Sequence, residues 1–149
     1  KKKNYLLGFA VYLKYLEVIM DTFDFSVEQK FDPIKHVERK LGFYGEGDVS
    51  IACWEPGQVS PNHCHPDATE IYFCYEGGGI MRTENDEVEV KKGSFVVHPR
   101  GELHEYTNGS ERTILFRVRY GESMKSMTKN WPTNSAWSAS EEDIAYFSE

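Results

Sequence analysis

Seven short runs of strand-forming residues, separated by turn-forming residues, constrain this chain more than any other feature. The runs cover positions 49–54, 70–75, 79–83, 87–90, 94–98, 103–107 and 113–120. The connections, such as EPGQVSPN and PRGE, are rich in Gly, Pro, Asn and Asp, which supply the backbone angles that tight reversals need. No helical pattern interrupts the series. The sequence therefore predicts an all-β fold, either a sandwich or a barrel.

Two histidines separated by one residue, His63 and His65, precede a predicted strand that begins at Glu70. Alternate side chains of a strand share a face, so both imidazoles point the same way. If Glu70 faces inward, its carboxylate meets them. His104, which follows a turn at 99–101, is the candidate for a fourth ligand. Three imidazoles and one carboxylate suit a divalent transition metal that keeps one or two positions open to water or substrate.

These candidate ligands lie in two runs of defined spacing. In the first run, five, one, four and six residues separate Gly57, His63, His65, Glu70 and Gly77. In the second run, five, one, two and three residues separate Gly93, Pro99, Gly101, His104 and Asn108. Both runs resemble the two sequence motifs of the cupin superfamily. The resemblance implies an antiparallel jelly-roll β-barrel, a homodimer, and metal ligation by His63, His65, Glu70 and His104.

The charge balance and the cysteines argue against several classes of function. Seventeen Lys and Arg against 24 Asp and Glu give a formal net charge of −7, which opposes binding to nucleic acid or to anionic membranes. Cys53, Cys64 and Cys74 have no paired spacing, so we expect free thiols in a reducing cytoplasm. A chain of 149 residues suits one domain with its own core.

The two ends of the chain differ in pattern from the barrel predicted at 45–121. In the N-terminal extension, 1–44, apolar residues at helical spacing predict a short amphipathic helix, and charges within it argue against a signal peptide or a membrane span. An irregular segment or an edge strand should follow. In the C-terminal tail, 122–149, Ser138 or Ser140 precedes three acidic residues, which predicts a short capped helix. The tail either packs across the barrel or covers its mouth as a lid.

Two tyrosines and one arginine are further candidates at the site. Tyr72 and Tyr106 each follow a predicted ligand by two positions and therefore face inward, where a phenol either moves protons catalytically or fills the barrel. Arg82 is the predicted substrate anchor, because guanidinium binds a carboxylate or phosphate through two hydrogen bonds. Arg117 and Arg119 alternate with apolar residues. If those apolar residues face the core, both arginines point to solvent or to a subunit interface.

The cupin resemblance does not select one reaction, because one fold hosts many chemistries. We expect a mononuclear non-haem oxygenase that acts on a small polar molecule, with iron as the first choice and manganese, nickel, cobalt or zinc as alternatives. A second hypothesis is a non-redox lyase or isomerase that uses manganese, nickel or zinc. The run EIY at 70–72 is similar to small cupin lyases that cleave dimethylsulfoniopropionate, and occurs in cupins of other activities. A third hypothesis is a non-catalytic module that binds a small ligand.

Overall fold

Short strands are the main regular secondary structure in the part of the chain that the structure describes. The structure is a computed structural model and describes residues 20–148. In chain order the elements are α1 (Phe25–Glu28), β1 (Val37–Tyr44), β2 (Gly47–Trp54), β3 (His63–Cys64), β4 (Ala68–Glu76), β5 (Gly78–Thr83), β6 (Glu87–Lys91), β7 (Phe95–His98), β8 (His104–Asn108), β9 (Thr113–Gly121), β10 (Met127–Thr128) and α2 (Glu141–Tyr146). The amphipathic helix predicted near the N-terminus lies outside the described residues. Neither α1 nor α2 has the length and apolar character needed to cross a bilayer.

The strands form two five-stranded antiparallel sheets that face each other as a jelly roll. One sheet has the order β1-β2-β9-β4-β7, and the other has the order β10-β3-β8-β5-β6. Strands that are distant in sequence lie side by side, as in the pairing of Tyr72 on β4 with Arg117 on β9. The all-β, jelly-roll prediction is confirmed, and all seven predicted strands are present. For the segment after the N-terminal helix, the sequence predicts either an irregular segment or an edge strand, and the structure has the edge strand β1 there. Strand β10 is not predicted.

The space between the sheets changes from apolar to polar along the strands. The apolar end contains Ala52, Trp54, Cys74, Met81, Val90, Tyr106 and Leu115. Further along the same inner face, buried polar side chains take over: Asp48, Ser50, Glu70, Arg117 and Arg119. Burying charged groups costs several kcal/mol each unless they are paired and hydrogen-bonded. A concentration of them at one end of the barrel therefore marks that end as the candidate functional site.

β9 faces the opposite way from the orientation that its apolar residues suggest. Arg117 and Arg119, at 1% and 7% relative exposure, point into the barrel, whereas Phe116 and Val118 lie on the outer face. The outer face is itself partly covered, because Phe25 of α1 packs against Phe116 with ring centroids 6.1 Å apart. The apolar residues are thus sheltered outside, and the arginines find carboxylate partners inside. The expectation that both arginines point to solvent or to an interface is wrong.

The C-terminal segment covers one edge of the second sheet. β10 pairs with β3, placing Met127 opposite Cys64. Of the two predicted helix caps, Ser140 is the N-cap of α2, and it exchanges hydrogen bonds with Asp143 in a capping box. The Asp143 carboxylate also accepts a 2.8 Å hydrogen bond from the Thr128 N–H. The helix is therefore tied directly to β10, and through β10 to β3.

A small apolar cluster lies between this segment and the barrel. It consists of Cys64, Leu103 and Met127, with Phe147 packed against it. Cys64 faces this cluster, and His63 and His65, which flank Cys64 in the chain, face the interior, as strand alternation predicts. The back of β3 is thus held by apolar contacts that come from the tail of the chain.

We expect Met127→Ala to lower the free energy of unfolding by about 2–3 kcal/mol, because truncating a buried methionine removes packed atoms and leaves a cavity. Urea unfolding followed by circular dichroism measures the change. Met20→Ala is the matched control: Met20 is 89% exposed and Met127 only 4%. The control should change the free energy by less than about 0.5 kcal/mol. Equal effects of the two substitutions would contradict the packing of the tail on β3.

Candidate metal centre

Three strands and one turn bring the four predicted ligands to one point between the sheets. His63 lies on β3 and His65 in the turn after it, while Glu70 lies on β4 and His104 begins β8. His63 and His104 are direct partners in the β3–β8 ladder. One ligand atom from each of the four residues lies within 4.8 Å of all the others. Ligands on opposite sides of an ion bonded at about 2.1 Å are about 4.2 Å apart, so small shifts of the side chains suffice for one ion.

Backbone carbonyl groups orient all three histidine rings. The Nδ1 atoms contact carbonyl oxygens as follows: His63 to Pro61 at 2.8 Å, His65 to Lys125 at 3.1 Å, and His104 to Glu102 at 2.9 Å. A carbonyl oxygen only accepts, so Nδ1 carries the proton and Nε2 keeps a free lone pair. Histidines that bind metals in proteins are oriented in this way. Three such lone pairs are directed to the same region of the barrel.

The carboxylate of Glu70 is fully buried among these rings. Its Oε2 lies 2.9 Å from Nε2 of His104, and its Oε1 lies 3.3 Å from Nε2 of His65. Burial opposes ionisation, but His104 and His65 together lower the pKa of the Glu70 carboxyl well below its usual range. Burial, with the charge of His104, lowers the pKa of His63 well below its usual range. An ionised carboxylate beside a neutral imidazole is the protonation state that binds cations.

Two details of Glu70 fit a cation at this point. Its Oε1 has no hydrogen-bond partner within the described residues, which is costly for a buried carboxylate. Because Nδ1 of His104 already donates to a carbonyl, the 2.9 Å approach of its Nε2 to Glu70 needs a second ring proton or a cation that both lone pairs share. The residues present therefore fit a divalent transition metal held by His63, His65, Glu70 and His104.

A turn between β7 and β8 links the two halves of the ligand set. The N–H of Gly101 donates to the carbonyl oxygen of His65 at 2.9 Å, and the N–H of Glu102 donates to that of Pro99 at 3.1 Å. Gly101 has φ of +76°, a region that residues with a Cβ atom rarely adopt. The turn positions Glu102, whose carbonyl orients His104. The glycine therefore supports two of the predicted ligands, His65 and His104, through the backbone.

A fourth histidine, His98, packs behind the ligand set. Its ring stacks on that of His104, with centroids 3.9 Å apart and an interplanar angle of 9°. Nδ1 of His98 lies 2.7 Å from the carboxylate of Glu102. Glu102 thus contacts both rings, one through its side chain and the other through its carbonyl. His98 lies outside the four-residue ligand cluster, and its contacts restrict the orientation of His104.

A cavity of about 540 Å³ opens beside the ligands, and Tyr72 lines it together with the three histidines. The side chain of Tyr72 follows Glu70 on the same face of β4. Burial raises the pKa of the Tyr72 phenol well above its usual range, and the charge of Glu70 raises it further. No residue of the described range 20–148 accepts a hydrogen bond from this hydroxyl. Tyr72 therefore stays protonated, and its hydroxyl is free to donate a hydrogen bond to a bound molecule.

Two other predicted site residues have different positions. Tyr106 lines the cavity, but its hydroxyl donates to Oδ1 of Asn108 at 3.1 Å, towards the end of β8 that lies away from the ligands. Arg82 does not line the cavity. Its half-exposed guanidinium pairs with Glu87 at 2.7 Å and with Glu105 at 3.4 Å. Neither polar group is directed to the ligand cluster.

Arg117 and Arg119 occupy the position predicted for Arg82, since both line the cavity. Nη1 of Arg119 lies 3.2 and 3.4 Å from the two ring nitrogens of His65, and Nη1 of Arg117 lies 3.5 Å from Oε1 of Glu70. Sequence reasoning missed both residues. The sequence feature that could have indicated them is the alternation of arginine with apolar residues. This alternation assigns the residues to two faces of a strand but does not show which face is inside the barrel.

Residues from both extensions complete the wall of the cavity. His36, in the segment before β1, stacks on Trp54 with centroids 3.9 Å apart, and Trp137 of the tail lies 5.4 Å from His36. Lys35 Nζ lies 4.8 Å from the Trp137 ring centroid. Burial, aided by the charges of Lys35 and Arg117, lowers the pKa of His36 to about 4, so its ring is neutral near pH 7. The tail therefore packs across the barrel end and borders the cavity.

Comparison with known proteins is consistent with this site. Residues 50–118 match the family described as Cupin domain. Germin-like protein subfamily 2 member 4 of Arabidopsis thaliana is 40% identical over 83 residues, which cover 51% of this chain and 37% of that protein. Acireductone dioxygenase 1 of Sorghum bicolor is 44% identical over 66 residues, covering 40% of this chain and 36% of that protein. The chain spans roughly a third of the length of these curated relatives.

The fold has close counterparts among solved structures. A protein with a double-stranded beta-helix domain from Klebsiella pneumoniae superposes with a TM-score of 0.69 at 16% identity, covering 76% of this chain and 100% of that one. Identity at that level shows the fold alone. The matched family, the jelly-roll sheets and both spaced motifs agree, and the chain belongs to the cupin superfamily.

Proposed function

We propose that this protein is a mononuclear metal enzyme, and specifically an oxygenase, that acts on a small polar molecule. The observation that carries the proposal is the cluster of three imidazoles and one carboxylate at the edge of a cavity of about 540 Å³. Such nitrogen and oxygen donors with open positions suit Fe(II) first, and manganese, nickel, cobalt or zinc as alternatives. Similarity over 66 residues to a protein named acireductone dioxygenase supports the redox assignment.

The residues around the cluster would have separate roles. When bound, the metal would supply open coordination positions and, if redox-active, the means to activate dioxygen. Tyr72 would donate a hydrogen bond to an oxygen atom of the substrate, and it would transfer its proton once a bound cation lowers the pKa of the phenol. Trp54 and Met81, both buried, line the cavity and would keep water away from the reacting groups.

A second candidate is non-redox lyase or isomerase chemistry. The observation that favours it is the protonated phenol of Tyr72 beside the ligand cluster, because proton transfer to a polarised substrate needs no dioxygen. Manganese, nickel or zinc would serve in that case. The two candidates share one site and differ in whether dioxygen is consumed.

Replacing two ligands tests the metal site. We expect protein purified under anaerobic conditions to contain about one divalent ion per chain, and the double variant His65→Ala, His104→Ala to contain less than about a tenth of that, because two of the four donors are gone. Elemental analysis by mass spectrometry measures both. His36→Ala is the matched control: this histidine borders the cavity outside the ligand cluster and should leave the metal content unchanged. A double variant that keeps its ion would refute the site.

Oxygen uptake separates the candidate reactions. We expect the iron-loaded protein to consume dioxygen in the presence of at least one member of a panel of small diols, thiols and phenols, and the zinc-loaded protein to consume none. Turnover by the zinc, nickel or manganese form without oxygen uptake would replace the oxygenase by a lyase or isomerase. Thermal stabilisation by a ligand, with no turnover under any metal, would instead identify a binding module.

Tyr72→Phe tests the proton donor. Removing one hydroxyl should lower the turnover number by about 100-fold or more, the usual contribution of a positioned acid, while the metal content stays the same. Tyr106→Phe is the comparison, because that hydroxyl is bound to Asn108. We expect it to change turnover by less than about threefold, well short of what a positioned acid contributes. If the two variants lose activity equally, the assignment of Tyr72 fails.

A further inference from the structure

The guanidinium of Arg119 lines the cavity, and its N–H groups are incompletely paired. Of its five donors, one contacts Asp48 Oδ2 at 3.2 Å, and the Nε–H has no partner among the described residues. The contacts of Nη1 with His65 are not ordinary hydrogen bonds, since Nδ1 of that ring donates to Lys125 and its Nε2 lone pair points to the ligand cluster. A buried guanidinium in this state lacks acceptors that a bound anion would supply.

The surrounding carboxylates are shared among several cations. Asp48 pairs with Lys40 at 2.9 Å and with Arg117 at 3.2 Å as well as with Arg119, and Glu38 pairs with Arg117. Glu70 is the third carboxylate, and its Oε1 lies 3.5 Å from Nη1 of Arg117. Within the described residues, Arg119 therefore has no carboxylate of its own and only shares Asp48 with two other cations.

Arg119 and the ligand cluster are close enough to bind the same small molecule. The guanidinium lies against the ring of His65, and the register pairs Arg119 with Glu70 across β9 and β4. A carboxylate that accepts two hydrogen bonds from the guanidinium would lie next to the ligands. A second oxygen atom of that molecule would then face the same region as the histidine nitrogens.

Another part of the cavity lining is largely aromatic. It is formed by Trp54, Met81, Tyr106 and Trp137, together with His36, whose ring is stacked on Trp54. A volume of about 540 Å³ lies within the range of roughly 300–1,000 Å³ that is usual for drug-sized ligands, and exceeds what an acid of two or three carbons needs. Aromatic walls bind planar apolar groups best. The cavity thus combines a cationic end with an aromatic end.

We propose that the substrate is a small carboxylic acid with a planar apolar body, whose carboxylate binds Arg119 and whose body packs against the wall formed by Trp54, His36 and Trp137. This inference rests on the proposed function for the reaction that follows binding. Binding itself is measurable without turnover and without metal, which allows the two proposals to fail separately.

The test measures binding of phenylacetate by isothermal titration calorimetry, with phenylacetamide as its uncharged counterpart of similar shape. In metal-free wild-type protein we expect the acid to bind at least about tenfold more tightly than the amide, because only the acid supplies a charged acceptor to Arg119. Repeating the titration with the zinc-loaded form shows whether the metal adds to the preference. This comparison of two ligands needs no variant, so it holds even if a substitution at Arg119 impairs folding.

Three variants assign the two ends of the cavity. Arg119→Gln should weaken the binding of phenylacetate by about tenfold or more and leave the binding of phenylacetamide unchanged. Arg119→Lys should retain part of the preference for the acid, because lysine keeps the positive charge but lacks the planar guanidinium. Trp137→Ala should weaken the binding of the acid and of the amide by the same factor, since the substitution removes part of the wall that both ligands contact. Arg82→Gln should affect neither ligand, because Arg82 lies outside the cavity.

The outcomes are distinct. Equal affinity of wild-type protein for the acid and the amide, absence of binding in both metal states, or loss of the preference in Arg82→Gln rather than in Arg119→Gln would overturn the inference. If the protein holds metal and consumes oxygen as proposed but does not bind phenylacetate, this inference is refuted and the proposed function stands. Tight binding that depends on Arg119, in a protein that holds no metal, would support the inference and refute the proposed function.

Discussion

The buried carboxylate of Asp48 is the group on which the polar end of this barrel depends. It has no exposed surface and contacts Lys40, Arg117 and Arg119. Burial raises its pKa, but hydrogen bonds and the charges of the three cations prevail and lower it, so the group stays ionised. Removing one partner of a buried ion pair typically costs 3–5 kcal/mol, about half of the stability of an ordinary domain. Without this carboxylate, Arg119 would have no carboxylate partner among the described residues, and Arg117 would keep only Glu38 and Glu70.

Hydrogen bonds to backbone carbonyl groups orient the predicted metal ligands in the absence of an ion. Each histidine ring is fixed by a carbonyl oxygen, and these carbonyls belong to Pro61, Glu102 and Lys125. Pro61 precedes β3, Glu102 is held by the turn before β8, and Lys125 belongs to the segment between β9 and β10. The centre therefore depends on backbone geometry at three separated positions. Orientation of this kind lowers the entropy lost when the ion binds, and it fixes which nitrogen faces the ion.

The ligands could be predicted from sequence, whereas the inward orientation of Arg117 and Arg119 could not, and the difference is physical. His63 and His65 share a face whichever way their strand is turned, because alternation alone puts them together. Whether Arg117 faces in or out depends on what covers the other face of β9. That cover comes from Phe25, about ninety positions earlier in the chain, so a local pattern cannot reveal it. The orientation of Arg82 was likewise not fixed by the local pattern, and in the structure Met81 takes the inward position beside it.

The metal ligands lie in one part of the chain, whereas the cavity wall also includes residues from outside that part, which bears on how function is inferred from similarity. All four ligands lie within residues 50–118, the part that matches the family. His36 and Trp137 lie well outside that range, and Arg119 lies one residue beyond it. A relative that matches only this range can therefore share the ion and still bind a different molecule. The charge and the shape of the cavity, which the matched range determines only in part, are the observations from which the substrate of this protein has to be argued.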